Sequence, residues 1–279
     1  MKISGFTIVR NAVKFNYPVV AAIRSILPIC DEFIVNVGDS EDDTLELIRS
    51  IDSPKIRIIQ TSWDMTQGSI VLSEQTNIAL KACRGDWAFY LQSDEVIHEA
   101  DLNKLKWWMQ YYLKKQDVDA LRLWWFHFYG SFWRYRIDFG WYQKQDRIIR
   151  NNGQIESYGD AFGFRRIDGK PLRSRLSYAY LYHYGWVNSN EAMQNRCDNA
   201  ATIGFMDKSK NNSFASGYGD LNRFPSYLGT HPAVMKSLVE HHQLSCEDLD
   251  IIRRKSWWNP VFWVRLRYKT GQRVKERIT

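Results

Sequence analysis

The sequence predicts an α/β fold, a mixed and mainly parallel sheet flanked by helices, with a helical C-terminal extension. Three observations predict it. Short apolar runs recur at residues 3–9, 32–37, 56–60 and 87–91, with segments of helical spacing between them. That βαβ rhythm implies parallel strands joined by crossover helices. A chain of 279 residues with 44% apolar content is enough for one large α/β domain, or one domain with an extension.

The first strand spans Ile3 to Val9, and the first helix begins at Tyr17-Pro18, because proline suits a first helical turn. Val19, Ala22, Ile23 and Ile26 form its inward face. A second helix follows Ser40-Glu41-Asp42-Asp43, which resembles a capping box. The third covers Ile70 to Ala82 and stops at Arg84-Gly85. Beyond Glu95 the spacing predicts a helix over 101–115 and a strand over 120–128, then shorter strands over 142–150 and 178–184 that extend the sheet in a mixed sense. From Glu191 onward the chain reads as helical, and no Gly/Ser/Pro-rich linker divides it.

The net charge of +7 is uneven: residues 251–279 hold nine lysines and arginines against the single acid Glu276, so the body is near neutral and the tail basic. Tryptophans interleaved in that tail suit an anionic membrane surface, or a terminal helix packing its aromatics on the body. No transmembrane span is visible, and the apolar part of the N-terminus is too short for a signal peptide. Cys30, Cys83, Cys197 and Cys246 lie far apart without a CxxC pair, which indicates neither a zinc site nor a disulfide framework and fits a reducing, cytoplasmic setting.

The most informative segment is Trp87 to Glu95. An apolar run delivers two adjacent carboxylates, Asp94 and Glu95, to a strand end, where open α/β sheets hold their ligands. Adjacent acids repel unless a cation or a helix N-terminus is near. A divalent ion carrying a diphosphate would satisfy both acids, and so would a simple helix cap.

Four stretches together resemble the GT-A fold glycosyltransferases of family 2. They are Thr7-Ile8-Val9-Arg10-Asn11, the acidic turn Asn36 to Thr44, the helix segment Glu74 to Ala79, and Gly85-Asp86-Trp87 through Ser93-Asp94-Glu95. The resemblance covers residues 3–165 and implies a catalytic domain over 1–185, with a nucleotide-binding half (1–96) and an acceptor half (97–185), and an extension over 186–279. It implies an inverting transfer of sugar from a nucleotide-diphosphate sugar, UDP-linked or else GDP-linked, to a glycan or lipid-linked acceptor in surface-glycan synthesis, assisted by Mn2+ or Mg2+.

The same resemblance assigns Thr7, Val9, Arg10, Asn11, Asp39, Asn77, Ser93, Asp94, Arg147 and Arg150 to the nucleotide sugar. It assigns Glu95, with Asp94 and His183, to the metal, and Asp160, with Glu156 in reserve, to the general base. Arg147 and Arg150, three apart on a strand, should point to opposite faces, so at most one faces the cleft. The acidic turn departs from the family pattern, having Val37 and Gly38 where paired aspartates stand, and Ser93 is a poor ligand in the first position of the acid triad.

Six of the twelve tryptophans fall between Trp107 and Trp141. Four of them, Trp124, Trp125, Trp133 and Trp141, with Phe126, Phe128, Tyr129, Phe132 and Tyr135, read either as core or as a wall on which an acceptor sugar stacks, and alternation sends half of Trp124 to Phe128 inward in both cases.

Other classes fit less well. A nucleotidyltransferase needs a glycine-rich phosphate loop, and Phe6 to Asn16 contains no glycine. Walker and dinucleotide motifs are missing. A nucleic-acid binder would carry its charge on the fold, whereas here it is confined to the tail. A catalytically inactive relative that binds sugar or nucleotide, or serves as a scaffold, remains an alternative because of the altered acidic turn.

Overall fold

The computed structural model describes residues 1–137, 141–202, 204 and 217–242. The basic tail at 251–279, and with it the expected membrane contact there, lies outside the described residues.

The N-terminal half follows the predicted rhythm: β1 (Ile3–Val9), α1 (Val19–Ile26), β2 (Glu32–Gly38), α2 (Thr44–Arg49), β3 (Ile56–Thr61), α3 (Val71–Ala82) and β4 (Trp87–Tyr90). These strands run parallel in the order β3-β2-β1-β4, with Thr7 opposite Val35 and Phe6 opposite Tyr90. Both faces of β1, β2 and β4 are covered, which is why these strands are largely apolar, whereas β3, at the sheet edge, is half-buried and carries Arg57 and Gln60. Ile3, Val9, Phe33, Trp87 and Phe89 pack toward α1 and its neighbours, whereas Phe6, Ile8, Ile34, Ala88 and Tyr90 share the second core with Val71 and Leu80 of α3.

After β4 the chain makes β5 (Glu95–Ile97), α4 (Glu99–Leu113), β6 (Ala120–Tyr129), β7 (Ser131–Arg136) and β8 (Lys144–Arg150). A small hairpin of β9 (Ile155–Tyr158) and β10 (Gly163–Arg166) precedes the long β11 (Ser174–Trp186), then α5 (Asn190–Thr202) and α6 (Lys236–His241). The nine-stranded sheet continues past β4 as β8-β6-β11-β5, with β7 paired to β6. Here β6 and β11 are parallel and the other pairings antiparallel.

Sequence patterning does not show β5, β7, β9 or β10, because three-to-six-residue strands with few alternations carry little periodicity. The expected capping box before α2 is replaced by a cross-loop tie. Asp42 accepts from the backbone N–H of Thr44 and of Lys14, and Thr44 Oγ1 accepts from Ala12 N–H at 2.7 Å.

The strand order reverses at β1, which has β2 on one side and β4 on the other, so the crossovers leave it in opposite directions. A crevice is forced open at the carboxyl ends of such a pair. Val9-Arg10 at the end of β1 and Gln92-Ser93-Asp94 after β4 stand at that crevice.

Candidate active site

The crevice is a cleft of about 490 Å³, roofed by α5 and by the turn after β9. Asp94, His183, Asp160, Arg10 and Arg196 all line it, with Trp125 and Trp141 as aromatic walls.

Asp94 sits in the turn between β4 and β5, and its Oδ2 lies 3.6 Å from His183 Nε2. Burial opposes ionisation of Asp94, but the charges of His183 and Arg196 and a hydrogen bond from His183 outweigh it, so the carboxyl is held below its usual range. The gap between these groups is made by a glycine. A Cβ on Gly185 would stand 2.5 Å from Asp94 Oδ2 and 2.7 Å from His183 Nε2.

The orientation of His183 is set by a residue that sequence reasoning missed. His127 on β6 lies opposite His183 on β11, and their Nδ1 atoms are 3.2 Å apart. His127 Nε2 is 2.6 Å from the Tyr142 carbonyl, which can only accept, so Nε2 carries the proton of His127. Burial, then the neighbouring charge of His183, push His127 down to about 3 despite that carbonyl, so it is neutral and its Nδ1 accepts. His183 therefore donates through Nδ1–H, which leaves its Nε2 as the atom presented to Asp94. Trp125 holds the ring flat, stacked at 5.3 Å and 1°.

A carboxylate and an imidazole Nε2 facing a glycine-made gap would fit a divalent ion that displaces the Nε2 proton and takes its remaining ligands from phosphate oxygens and water. Among the described residues no group of three or more His, Cys, Asp or Glu converges as a metal cage. The protein side of such a site would therefore be Asp94 and His183.

Glu95, expected as the direct metal ligand, is corrected by the geometry. It is fully buried as the first residue of β5, and its carboxylate accepts from Arg147 Nε at 2.8 Å, from Arg147 Nη2 at 2.7 Å and from Gln92 N–H at 3.0 Å. Arg147 is equally buried, so neither residue faces the cleft. Arg150 points to the opposite side, as its spacing predicted, and donates to the carbonyls of Tyr112, Leu113, Lys115 and Val118 at the end of α4. Both expected arginine roles in binding diphosphate are thereby lost to internal partners.

Other expected residues support the cleft from behind. Thr7 is buried in the sheet, and Asn77 clamps Ser157 on β9 through both its amide atoms. Asn11, at φ 54°, accepts from Glu41 N–H and ties the β1 turn to the acidic turn. Glu156 pairs with Arg165 at 2.9 Å and does not line the cleft. Asp39 accepts from Trp63 N–H and Ser62 Oγ, which together overcome burial and lower its carboxyl, and it lies 3.4 Å from Arg10. Val9, Arg10, Ser93 and Asp160, which the resemblance assigned to donor and acceptor, line the cleft.

Arg196 on α5 also escaped sequence reading, since nothing local distinguishes it within a polar helix. It donates to the carbonyls of Phe15 at 2.6 Å, Gly185 at 2.7 Å and Asn16 at 2.6 Å, and stacks over Tyr17. Of the aromatic stretch, Trp124, Phe126, Phe128, Phe132, Trp133 and Tyr135 are core, while Trp125 and Trp141 face the cleft. Trp125 Nε1 is buried with no hydrogen-bond partner among the described residues, an unused donor at the cleft wall.

The fold and this cleft define an α/β domain with its cleft at the reversal point of the sheet. Residues 8–170 match the family described as glycosyl transferase family 2, more than half of the chain, and the chain belongs to that family. Its mixed sheet, with a parallel N-terminal half and flanking helices, is the GT-A arrangement. Solved structures of similar fold include Staphylococcus aureus TarS, at 15% identity and TM-score 0.41 over 77% of this chain, although the match spans only 42% of that protein. A shorter TarS, residues 1–349 in complex with UDP, matches at 15% identity and TM-score 0.44, covering 77% of this chain and 69% of that one. Glucosyl-3-phosphoglycerate synthase from Mycobacterium tuberculosis, in complex with Mn2+, UDP and glucosyl-3-phosphoglycerate, matches at 22% identity and TM-score 0.32 over 44% of each chain. No curated protein matches the chain in sequence.

Proposed function

We propose that the protein moves a sugar from a nucleoside-diphosphate sugar, UDP-linked in the first instance, to an acceptor hydroxyl with inversion at the anomeric carbon, in the assembly of a surface glycan. One observation carries this reading: Asp94 and His183 face one another in the same cleft as Asp160, at the reversal point of the sheet. Asp94 and His183 would hold Mn2+ or Mg2+, an ion that supplies charge neutralisation for a departing diphosphate.

The chain's own groups do the rest. Arg10 and Arg196 add fixed positive charge at the cleft, and Trp63 offers a flat wall for the base. Trp125 Nε1 can donate to a sugar hydroxyl. Asp160 would take the acceptor proton as the new glycosidic bond forms and the bond to the diphosphate breaks.

The experiment is calorimetric or thermal-shift binding of UDP, GDP, CDP and dTDP with and without Mn2+ or Mg2+, followed by donor turnover. We expect metal-enhanced binding of one nucleotide, its loss in Asp94→Asn, and in Asp160→Asn retained binding with transfer reduced about 10²- to 10⁴-fold. Absence of binding by every nucleotide would sink the reading. A second reading is a relative that binds nucleotide sugar without transferring it. The enclosure of Glu95 by Arg147 favours it, and metal-enhanced binding with no donor consumption would be its mark.

A further inference from the structure

Helix α4 carries a surface remote from the cleft, to which none of its residues contributes. Its inner face, Leu102, Leu105 and Met109, is buried in the core. The acids of α4, Glu99 and Asp101, lie in its first turn, and Asp101 is ion-paired with Lys104 at 2.5 Å; from Leu102 to Lys115 there is no further acid, and Lys106, Lys114 and Lys115 supply positive charge. Between those lysines the outer face presents Trp107, 57% exposed, and Tyr111, 45% exposed.

These rings are organised. Trp107 stacks on Tyr111 at 5.3 Å, Trp108 stacks on Tyr112 at 5.4 Å, and Trp107 meets Trp108 edge-on at 4.6 Å. Tyr178 of β11 joins them, 6.3 Å from Trp108 and 51% exposed. Its φ of 57°, within the register shift between Leu176 and Tyr180, is a conformation bulky residues avoid. Lys104 Nζ, donating to the Tyr178 carbonyl at 3.0 Å, helps to hold it. The sheet thus departs from regular pairing where it brings one more exposed ring to the patch.

We propose that this face of α4 docks on the anionic headgroups of a lipid surface. Tryptophan and tyrosine favour the membrane–water boundary because one part of each ring system is apolar and another polar. Lysines on flexible stems reach acidic headgroups around them. A carbohydrate ligand fits less well, since the stacked and edge-on contacts among the four α4 rings occupy flat faces that a sugar ring would need. The chain's own segment 251–279 is a poor occupant as well. It carries nine basic residues against one acid, so it would be repelled from α4 and drawn to the same anionic partner.

The test is flotation of the full chain with vesicles of phosphatidylcholine alone or mixed with phosphatidylglycerol, at low and high salt. Binding is expected on the anionic vesicles, weakened by salt, and about tenfold weaker in the double variant Trp107→Ser/Tyr111→Ser. A second variant, Lys106→Glu/Lys115→Glu, keeps the aromatics and is expected to lose affinity to a similar degree, with nucleotide binding unchanged in both. Equal binding to neutral vesicles, no binding to either, or undiminished binding by both variants would overturn the proposal; the last would place the contact on the tail.

Discussion

At the scale of single residues, Glu95 and Arg147 act as one unit. Both are fully buried, and Arg147 also donates to the Phe162 carbonyl at 2.9 Å, two residues from Asp160. Removing either charge leaves the other without compensation in the core. Arg147→Met is therefore expected to lower unfolding free energy by about 3 to 5 kcal/mol, measured by urea denaturation, with much of it regained in Glu95→Leu/Arg147→Met. A single variant as stable as the parent would mean that Glu95 is not held by this pair, and would return it to the metal. The adjacent acids were visible in sequence; which of them faces the cleft was not, because that depends on an arginine 52 positions away.

At the scale of elements, the parallel register of β6 and β11 sets His127 against His183. The two strands begin 54 positions apart, and no local pattern predicts which residues will meet. The pairing has a consequence for stability. His127 is depressed to about 3 from its ordinary 6.5, so between those values the unfolded chain binds a proton that the folded chain refuses. Its contribution is present above about 6.5 and falls on acidification, by roughly 1.4 kcal/mol per pH unit for one proton. Denaturation in metal-free buffer from neutral pH downward should show this slope, and His127→Gln, whose amide can still accept from His183 and donate to Tyr142, should flatten it. An identical slope in the variant would assign the proton elsewhere. By contrast, β1 to β4 were legible beforehand, since burial on both faces of β1, β2 and β4 writes itself as short apolar runs, and the half-buried edge strand β3 keeps enough of that pattern in Ile56, Ile58 and Ile59.

At the scale of the whole molecule, Arg196 ties α5 to the loop after β1 and to Gly185 on β11, closing one side of the cleft with three carbonyl contacts. Arg196→Ala is expected to raise hydrogen exchange across residues 190–202 and to weaken nucleotide-diphosphate binding about tenfold. Unaltered exchange and affinity would show that α5 is held by its apolar contacts, Met193 and Cys197, alone.

By itself the sequence determined the βαβ order, the buried strands, the family likeness, and the strand end to which two adjacent acids are delivered, because these follow from periodicity and from residues close together in the chain. Tertiary structure alone decided that Asp94 and not Glu95 opens onto the cleft, that His127 orients His183, and that Arg196 reaches the site from a later helix. Each of those outcomes is a pairing between distant segments, set by strand register and the enclosure of charge, for which a linear sequence carries no local signal.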